Sequence, residues 1–212
     1  MSTRGSIKLA VITGNHPFEV PEFIRLFSGL PDVEFYPQYL ENFAADLSGV
    51  REWYDVVLFY NMHPEPPDDA SRAALEKLGS TDQGVFLLHH GMLAFRGWQH
   101  WSNLVGIEDR RFTYHPGEKV PVNIADPDHP IVQGMDSWEM VDETYAMNGP
   151  DAASGVILTT EHPRSLQALA WTRQFRRSRV FVFASGHGKE TYADESFRKV
   201  LLNGIRWAAR RL

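Results

Sequence analysis

The sequence predicts an open α/β fold, with a mainly parallel sheet, helices on both faces and a hairpin near the C-terminal end. Three observations carry this. Apolar runs without alternation, at residues 7–13, 55–60 and 85–88, read as strands buried on both faces, as parallel strands are. The intervening segments repeat apolar residues at helical spacing. Late in the chain, residues 168–172 and 179–184 are strand-like and joined by a charged turn.

Taken in order, residues 7–13 (IKLAVIT) form the first buried strand. The turn Gly14-Asn15-His16-Pro17-Phe18 follows, and then a helix over 21–29 that ends at a glycine. Residues 33–39 alternate apolar with polar, which predicts a peripheral strand, and 47–54 is a helical or turn connection. The third strand, 55–60 (DVVLFY), runs into Asn61-Met62-His63-Pro64 and a proline-rich loop. A helix over 68–78 aligns Ala70, Ala74, Leu75 and Leu78 on one face. Strand 85–88 then leads into His89-His90-Gly91 and an aromatic-rich, partly helical stretch over 93–104. From about 106 to 150 prolines and glycines are frequent, with short edge strands at 119–124 and 138–141. Strands at 156–160, 168–172 and 179–184 follow. Asp194 then caps a final helix whose Phe197, Val200, Leu201, Gly204, Ile205 and Ala208 share a face.

The 212 residues favour one domain, with 106–150 an elaboration too short for a core of its own. The longest apolar run falls short of the ~20 residues a membrane span needs. The N-terminal residues lack the apolar region of a signal peptide, so a cytoplasmic protein without a membrane partner is expected. No cysteine is present, which excludes disulfides, thiolate metal sites and a cysteine nucleophile. The net charge of -6 and a single basic cluster at 173–179, read as a solvated hairpin tip, give no nucleic-acid footprint.

Histidines stand just after four of the strands: His16, His63, the pair His89 and His90, and His187. In a parallel sheet those loops converge on one edge, where open α/β folds keep their sites. Strand, sharp turn and helix at residues 85–95 has the form of a nucleophile elbow, with His89 in the seat that Ser or Cys would hold. His90 is then expected to hydrogen-bond beneath the sheet. Imidazole can serve as acid, base or metal ligand, and His16, His89 and His187 could hold a divalent ion such as zinc. Asp142-Glu143-Thr144-Tyr145 is either a solvated turn or a source of an acid/base, Glu143, with Tyr145 beside it. Trp98, Trp101, Trp138 and Phe95 could stack on a sugar ring or belong to the core. No glycine-rich nucleotide motif occurs.

Several of these elements, in this order, resemble the trehalose-utilisation (ThuA-like) family. They are Thr13-Gly14-Asn15-His16, Leu88-His89-His90-Gly91, Asp128-His129-Pro130-Ile131-Val132-Gln133-Gly134 and Asp142-Glu143-Thr144-Tyr145, with Ser185-Gly186-His187 and Leu202-Asn203-Gly204-Ile205-Arg206-Trp207-Ala208. The resemblance spans about residues 7–210. It implies a class I glutamine amidotransferase-like, flavodoxin-like three-layer sandwich, and a role in disaccharide catabolism alongside enzymes that make 3-keto sugars. It maps catalytic roles onto His16, His89, His187 and Glu143, and it leaves His63, His90, Tyr145 and Trp98 as substrate-binding candidates. With His89 in the elbow seat, cysteine-dependent glutamine hydrolysis is not expected. Three readings stay open: chemistry on a (keto-)sugar, by lyase, hydrolase or isomerase action; a non-catalytic sugar-binding or assembly subunit; or a metal-dependent hydrolase of another substrate class. A homodimer is the base-rate expectation for the assembly.

Overall fold

The computed structural model describes residues 5–46 and 48–212. Residues 1–4 and Leu47, the first residue of the connection expected over 47–54, lie outside them. The parallel part of the sheet is built from β1 (Ile7–Thr13), β2 (Val33–Tyr39), β3 (Val56–Phe59), β4 (Gly84–Leu88) and β9 (Ser178–Phe183). Between β4 and β9 the chain forms β5 (Thr113–Ile124), β6 (Trp138–Ala146), β7 (Gly155–Thr159) and β8 (Ala168–Phe175). Spatially the nine strands run β2-β1-β3-β4-β9-β8-β7-β5-β6. The five strands from β2 to β9 are parallel, and β8, β7, β5 and β6 extend the sheet with antiparallel neighbours. The expected β8–β9 hairpin is present, and β5 joins the sheet by pairing Asn123 and Ile124 with β7.

Strand alternation separates two cores. Leu9, Val11, Leu58, Phe86 and Phe181 face α1 (Val20–Ser28) and α6 (Glu195–Ala208). Ala10, Ile12, Val57, Leu87 and Val182 face α2 (Leu40–Ala45), α3 (Asp69–Leu75) and α4 (Gln99–Val105). This three-layer arrangement explains why β1, β3 and β4 carry no polar alternation: both of their faces are covered. The edge strand β2 alternates in exposure and tolerates Pro37. The Asp194 carboxylate accepts from the Phe197 N–H at 2.7 Å and caps α6 as expected.

The stretch expected to be partly helical, 93–104, is helical from Gln99, after His89–Leu93 closes into a 3-10 turn. Other elements differ from expectation. Helices α2 and α5 (Lys189–Ala193) are too short for a periodic signal. Strands β5 and β6 are much longer than 119–124 and 138–141, because their pairing continues outward through a bulge between His115 and Glu118. Two of the sequence motifs meet in the fold. The Asn203 amide donates to the Ile131 carbonyl at 2.9 Å, and the His129 ring packs on Trp207 with centroids 5.6 Å apart. These motifs therefore tie α6 to the segment between β5 and β6.

Gly91 sits where a Cβ would overlap the backbone carbonyl of Phe59. Gly91→Ala is expected to force β3 and the turn after β4 apart, at a cost of roughly 2 kcal/mol or more by urea unfolding; a neutral effect would refute the tight contact. The His129 Nδ1 accepts the Ile131 N–H at 3.2 Å. Burial lowers its pKa below the ordinary 6.5, against the pull of Asp126, and Arg179 acts in the same direction as burial. The unfolded chain therefore binds this proton more readily, so the stabilisation is complete above about pH 6.5 and is lost as pH falls through the folded pKa. His129→Asn, which can accept the same N–H without titrating, is expected to flatten the fall in Tm between about pH 7.5 and 5.5; an unchanged slope would rule His129 out as a source.

Candidate functional site

The parallel strands deliver their C-terminal loops to one edge, and four of those loops bring imidazoles there. His89 follows β4 in the left-handed region, at φ 48°. Its Nδ1 lies 2.8 Å from the Ala184 carbonyl just beyond β9; a carbonyl only accepts, so Nδ1 carries the hydrogen. The other nitrogen, Nε2, faces the Tyr145 hydroxyl at 2.6 Å and a Glu143 carboxylate oxygen at 3.4 Å, both on β6. His187, after β9, places its Nδ1 3.7 Å from the second Glu143 oxygen. The ring of His187 stands edge-on to His89 at 5.3 Å and to His16 at 5.7 Å. One carboxylate thus lies between two imidazoles and a phenol.

Electrostatics fixes the resting charges. Burial alone would raise the Glu143 pKa, but His89, His187 and Tyr145 hold it below the ordinary carboxyl value, so Glu143 is a carboxylate at neutral pH. Burial, and then His89, lowers His187 and His16 below 6.5, which keeps both neutral. Burial, with the nearby Glu143 and Asp142 charges, pushes the Tyr145 phenol well up, so it remains a donor.

His90 turns away as expected. Its Nε2 donates to the Tyr60 carbonyl at 2.9 Å, and its ring packs on Tyr60 and on His16 with centroids 4.2 and 4.3 Å apart.

The 142–145 stretch is no solvated turn. All four residues are buried, on β6. Asp142, which the sequence singled out only as part of a motif, organises the loop of His187. Its carboxylate accepts from the Gly186 and His187 N–H groups at 2.8 and 3.0 Å and from the Thr191 hydroxyl at 2.8 Å. The Tyr60 and Tyr192 hydroxyls share a hydrogen bond at 2.6 Å, and each lies 3.0 Å from a carbonyl of the same loop, Gly186 and His187 respectively.

A cleft of about 440 Å³ opens over this group. It is walled by Pro17 and Phe18 after β1, by Pro116 and Gly117 at the β5 bulge, and by Glu143 and His187. Its size suits a small molecule. Of the sequence-predicted residues, Glu143 and His187 line this cleft, while His89 and Tyr145 stand behind Glu143, fully or nearly fully buried. His63 lies on the other side of the β1 turn. Trp98 is not brought to the cluster: it packs on His100 and under Arg72 at the base of α4. Trp101 and Phe95 are likewise core residues.

His89, Glu143 and His187 each offer a ligand atom within 4.8 Å of the others. The chemistry of this donor set fits a divalent ion. The His187 Nδ1 is buried without a hydrogen-bond partner, and the His89 Nδ1–H bond to a carbonyl is the usual way a ligating imidazole is oriented. Glu143, rather than the His16 of the expected trio, completes this group, although the His16 Nδ1 is also buried and unpartnered.

The sheet order, the histidine elbow and this carboxylate–imidazole group define an amidotransferase-like α/β fold whose polar site is centred on a strand of the antiparallel extension. The chain belongs to the ThuA family, described as trehalose utilisation, whose sequence profile matches residues 45–208. A ThuA-like protein from Parabacteroides merdae is similar over 96% of this chain and 90% of its own, with 20% identity and a TM-score of 0.76. A second, from Bacteroides uniformis, shows 17% identity and the same TM-score over 98% of this chain and 93% of its own. A glutamine amidotransferase from Thermotoga maritima shares the fold over 97% of this chain and 99% of its own, at 9% identity and a TM-score of 0.57. A search among curated proteins found no match. No helix among the described residues is long and apolar enough to cross a membrane.

Asp142→Ala leaves the Gly186 and His187 N–H groups without their acceptor and removes one of the two acceptors of the Thr191 hydroxyl. We expect a loss of roughly 3 kcal/mol in urea unfolding, with Asp142→Asn, which keeps one accepting oxygen, costing less. Equal stability of the alanine variant and the wild type would show that the loop of His187 is held by other contacts.

Proposed function

We propose that the protein acts on an uncharged disaccharide or 3-keto-glycoside, with Glu143 as the proton-transferring group and His187 beside it. The carrying observation is the Glu143 carboxylate held between His89 and His187 at the wall of the cleft. The family's description as trehalose utilisation supports a carbohydrate substrate.

A ketone at C3 acidifies the hydrogen on C2. Glu143 takes that proton, and the C2–H electrons pass into the C2–C3 enolate. Collapse of the enolate forms a C1–C2 double bond and breaks the C1–O bond. The departing oxygen gains the proton held by Glu143, directly or through His187, so the step ends as an alcohol and an unsaturated ketone with no change of redox state. Addition of water across C1 and C2 completes a net hydrolysis. His89 is a positioning residue in this scheme. Its Nδ1–H is anchored to Ala184, its Nε2 meets the Tyr145 hydroxyl at 2.6 Å, and the ring stands behind the carboxylate at 3.4 Å. A divalent cation held by His89, Glu143 and His187 would supply polarisation of the ketone.

Glu143→Gln is expected to lower kcat on a 3-keto-glycoside by about 10³-fold and to abolish exchange of the C2 hydrogen in deuterated water, with circular dichroism unchanged. His89→Ala is expected to lower kcat more than it alters KM. Full activity in both variants would end the proposal. Elemental analysis of untagged wild type and His89→Ala checks the cation: near-stoichiometric metal lost in the variant supports it, and a metal-free active enzyme refutes it.

A further inference from the structure

The sheet has a topological switch between β1 and β3, since the chain leaves β1 for β2 on one side and then crosses from β2 to β3 on the other. Loops at such a point diverge and leave a crevice at the C-terminal strand edge. A second cleft, of about 310 Å³, lies here. Asn15 lines it from the β1 turn and His63 from the β3 loop, with Glu41 from α2 and a wall of Pro64, Pro66 and Pro67.

Within this cleft, the His63 ring lies nearly parallel to Phe95, with centroids 5.7 Å apart. Its Nδ1 takes the Asn61 amide at 3.0 Å, which leaves Nε2–H as the free donor. The Glu41 carboxylate is 3.7 Å from Nε2, beyond a direct hydrogen bond. A ligand hydroxyl satisfies both, accepting from the imidazole and donating to the carboxylate. Prolines beside such a pair offer the flat apolar wall that a sugar ring needs.

The two clefts share a partition. Asn15 faces this one and Pro17 the other, with His16 between them. Gly14 approaches the His63 ring so closely that a Cβ there would lie 3.0 Å from Cε1. His16, two residues on, reaches His90 and His187. Two residues of chain span at most about 7.6 Å between Cα atoms, on the order of one sugar ring. Among the described residues neither cleft is lined by a lysine or arginine, whereas Glu19, Asp142, Glu143 and Glu190 line the first and Glu41, Glu65 and Asp68 the second. Such walls repel phosphate and carboxylate groups.

We infer that the switch-point cleft around His63 binds the second ring of an uncharged two-ring sugar whose reacting ring lies against Glu143 and His187. This rests on the proposed function and extends it to the leaving group. Phosphorylated sugars are excluded by the same carboxylates.

The test compares kcat/KM for 3-keto-trehalose and for methyl 3-keto-α-glucoside in wild type, Asn15→Gly and His63→Ala. Glycine accepts the φ of 56° at position 15 and removes only the side chain. The disaccharide-to-methyl-glycoside ratio is expected to fall about 10-fold or more in each variant, and an unchanged ratio in both overturns the second ring site. Should the wild type turn over neither substrate, the proposed reaction fails and calorimetric binding of trehalose decides the inference alone. About 10-fold weaker binding in Asn15→Gly supports the inference, and equal binding or none to wild type overturns it. Trehalose 6-phosphate is expected to compete at least about 10-fold less well than trehalose at low salt, and equal or better competition overturns the exclusion of charged sugars.

Discussion

The rest of the structure depends on one close backbone approach at the end of β4. Gly91 lies against the carbonyl of Phe59, and this contact turns the chain sharply after Leu88. The turn leaves His89 at positive φ, a conformation that a ring-bearing residue adopts only when its surroundings enforce it. The enforcing bond is His89 Nδ1–H to the Ala184 carbonyl, which also links β4 to the end of β9. Ser185, Gly186 and His187 follow directly from that anchored carbonyl. The position of His187 and the direction of His89 Nε2 therefore both follow from the packing of three adjacent strands. A buried guanidinium fastens the far side of the same turn: Arg110 donates to the carbonyls of Met92, Ala94 and Phe95. Burial brings this guanidinium down to about 10.

The charge pattern at the strand edge follows from that packing. Four imidazoles in mutual contact repel one another when protonated, and burial adds to the penalty. His16, His90 and His187 are accordingly held in their neutral forms, while the single carboxylate between His89 and His187 stays ionised. A neutral imidazole beside a carboxylate can pass a proton without a large change in local charge. The cost of desolvating Glu143 is offset by the polar groups around it, His89, His187 and Tyr145, which favour its charged form.

Much of this was legible in the sequence where burial is two-sided. β1, β3, β4 and β9 announce themselves as unbroken apolar runs, and the histidines that follow them converge because parallel strands share an end. The acidic partner was harder to place. Glu143 belongs to β6, a long strand of the antiparallel extension whose outer half carries no apolar alternation, so the sequence could not separate a solvated turn from a strand. Asp142 was hidden for a related reason: its partners are two backbone N–H groups and a hydroxyl 44 to 49 residues away, contacts with no local pattern. Trp98 carried the opposite lesson, since an aromatic residue next to a predicted site belongs to the core when the following helix packs back under the sheet.

The elbow geometry outlives the nucleophile it is associated with. An amidotransferase from Thermotoga maritima overlays on nearly the whole chain, so the sheet cannot by itself specify the chemistry. In this chain the elbow seat is held by a histidine with no exposed surface and both ring nitrogens engaged, so it cannot present a nucleophile to the cleft. The groups that do reach the cleft come from β6 and from the loop after β9. The antiparallel extension thus contributes more than an edge to the sheet. By carrying Asp142 and Glu143 side by side on one strand, it both fixes the loop of His187 and supplies the carboxylate that His187 faces.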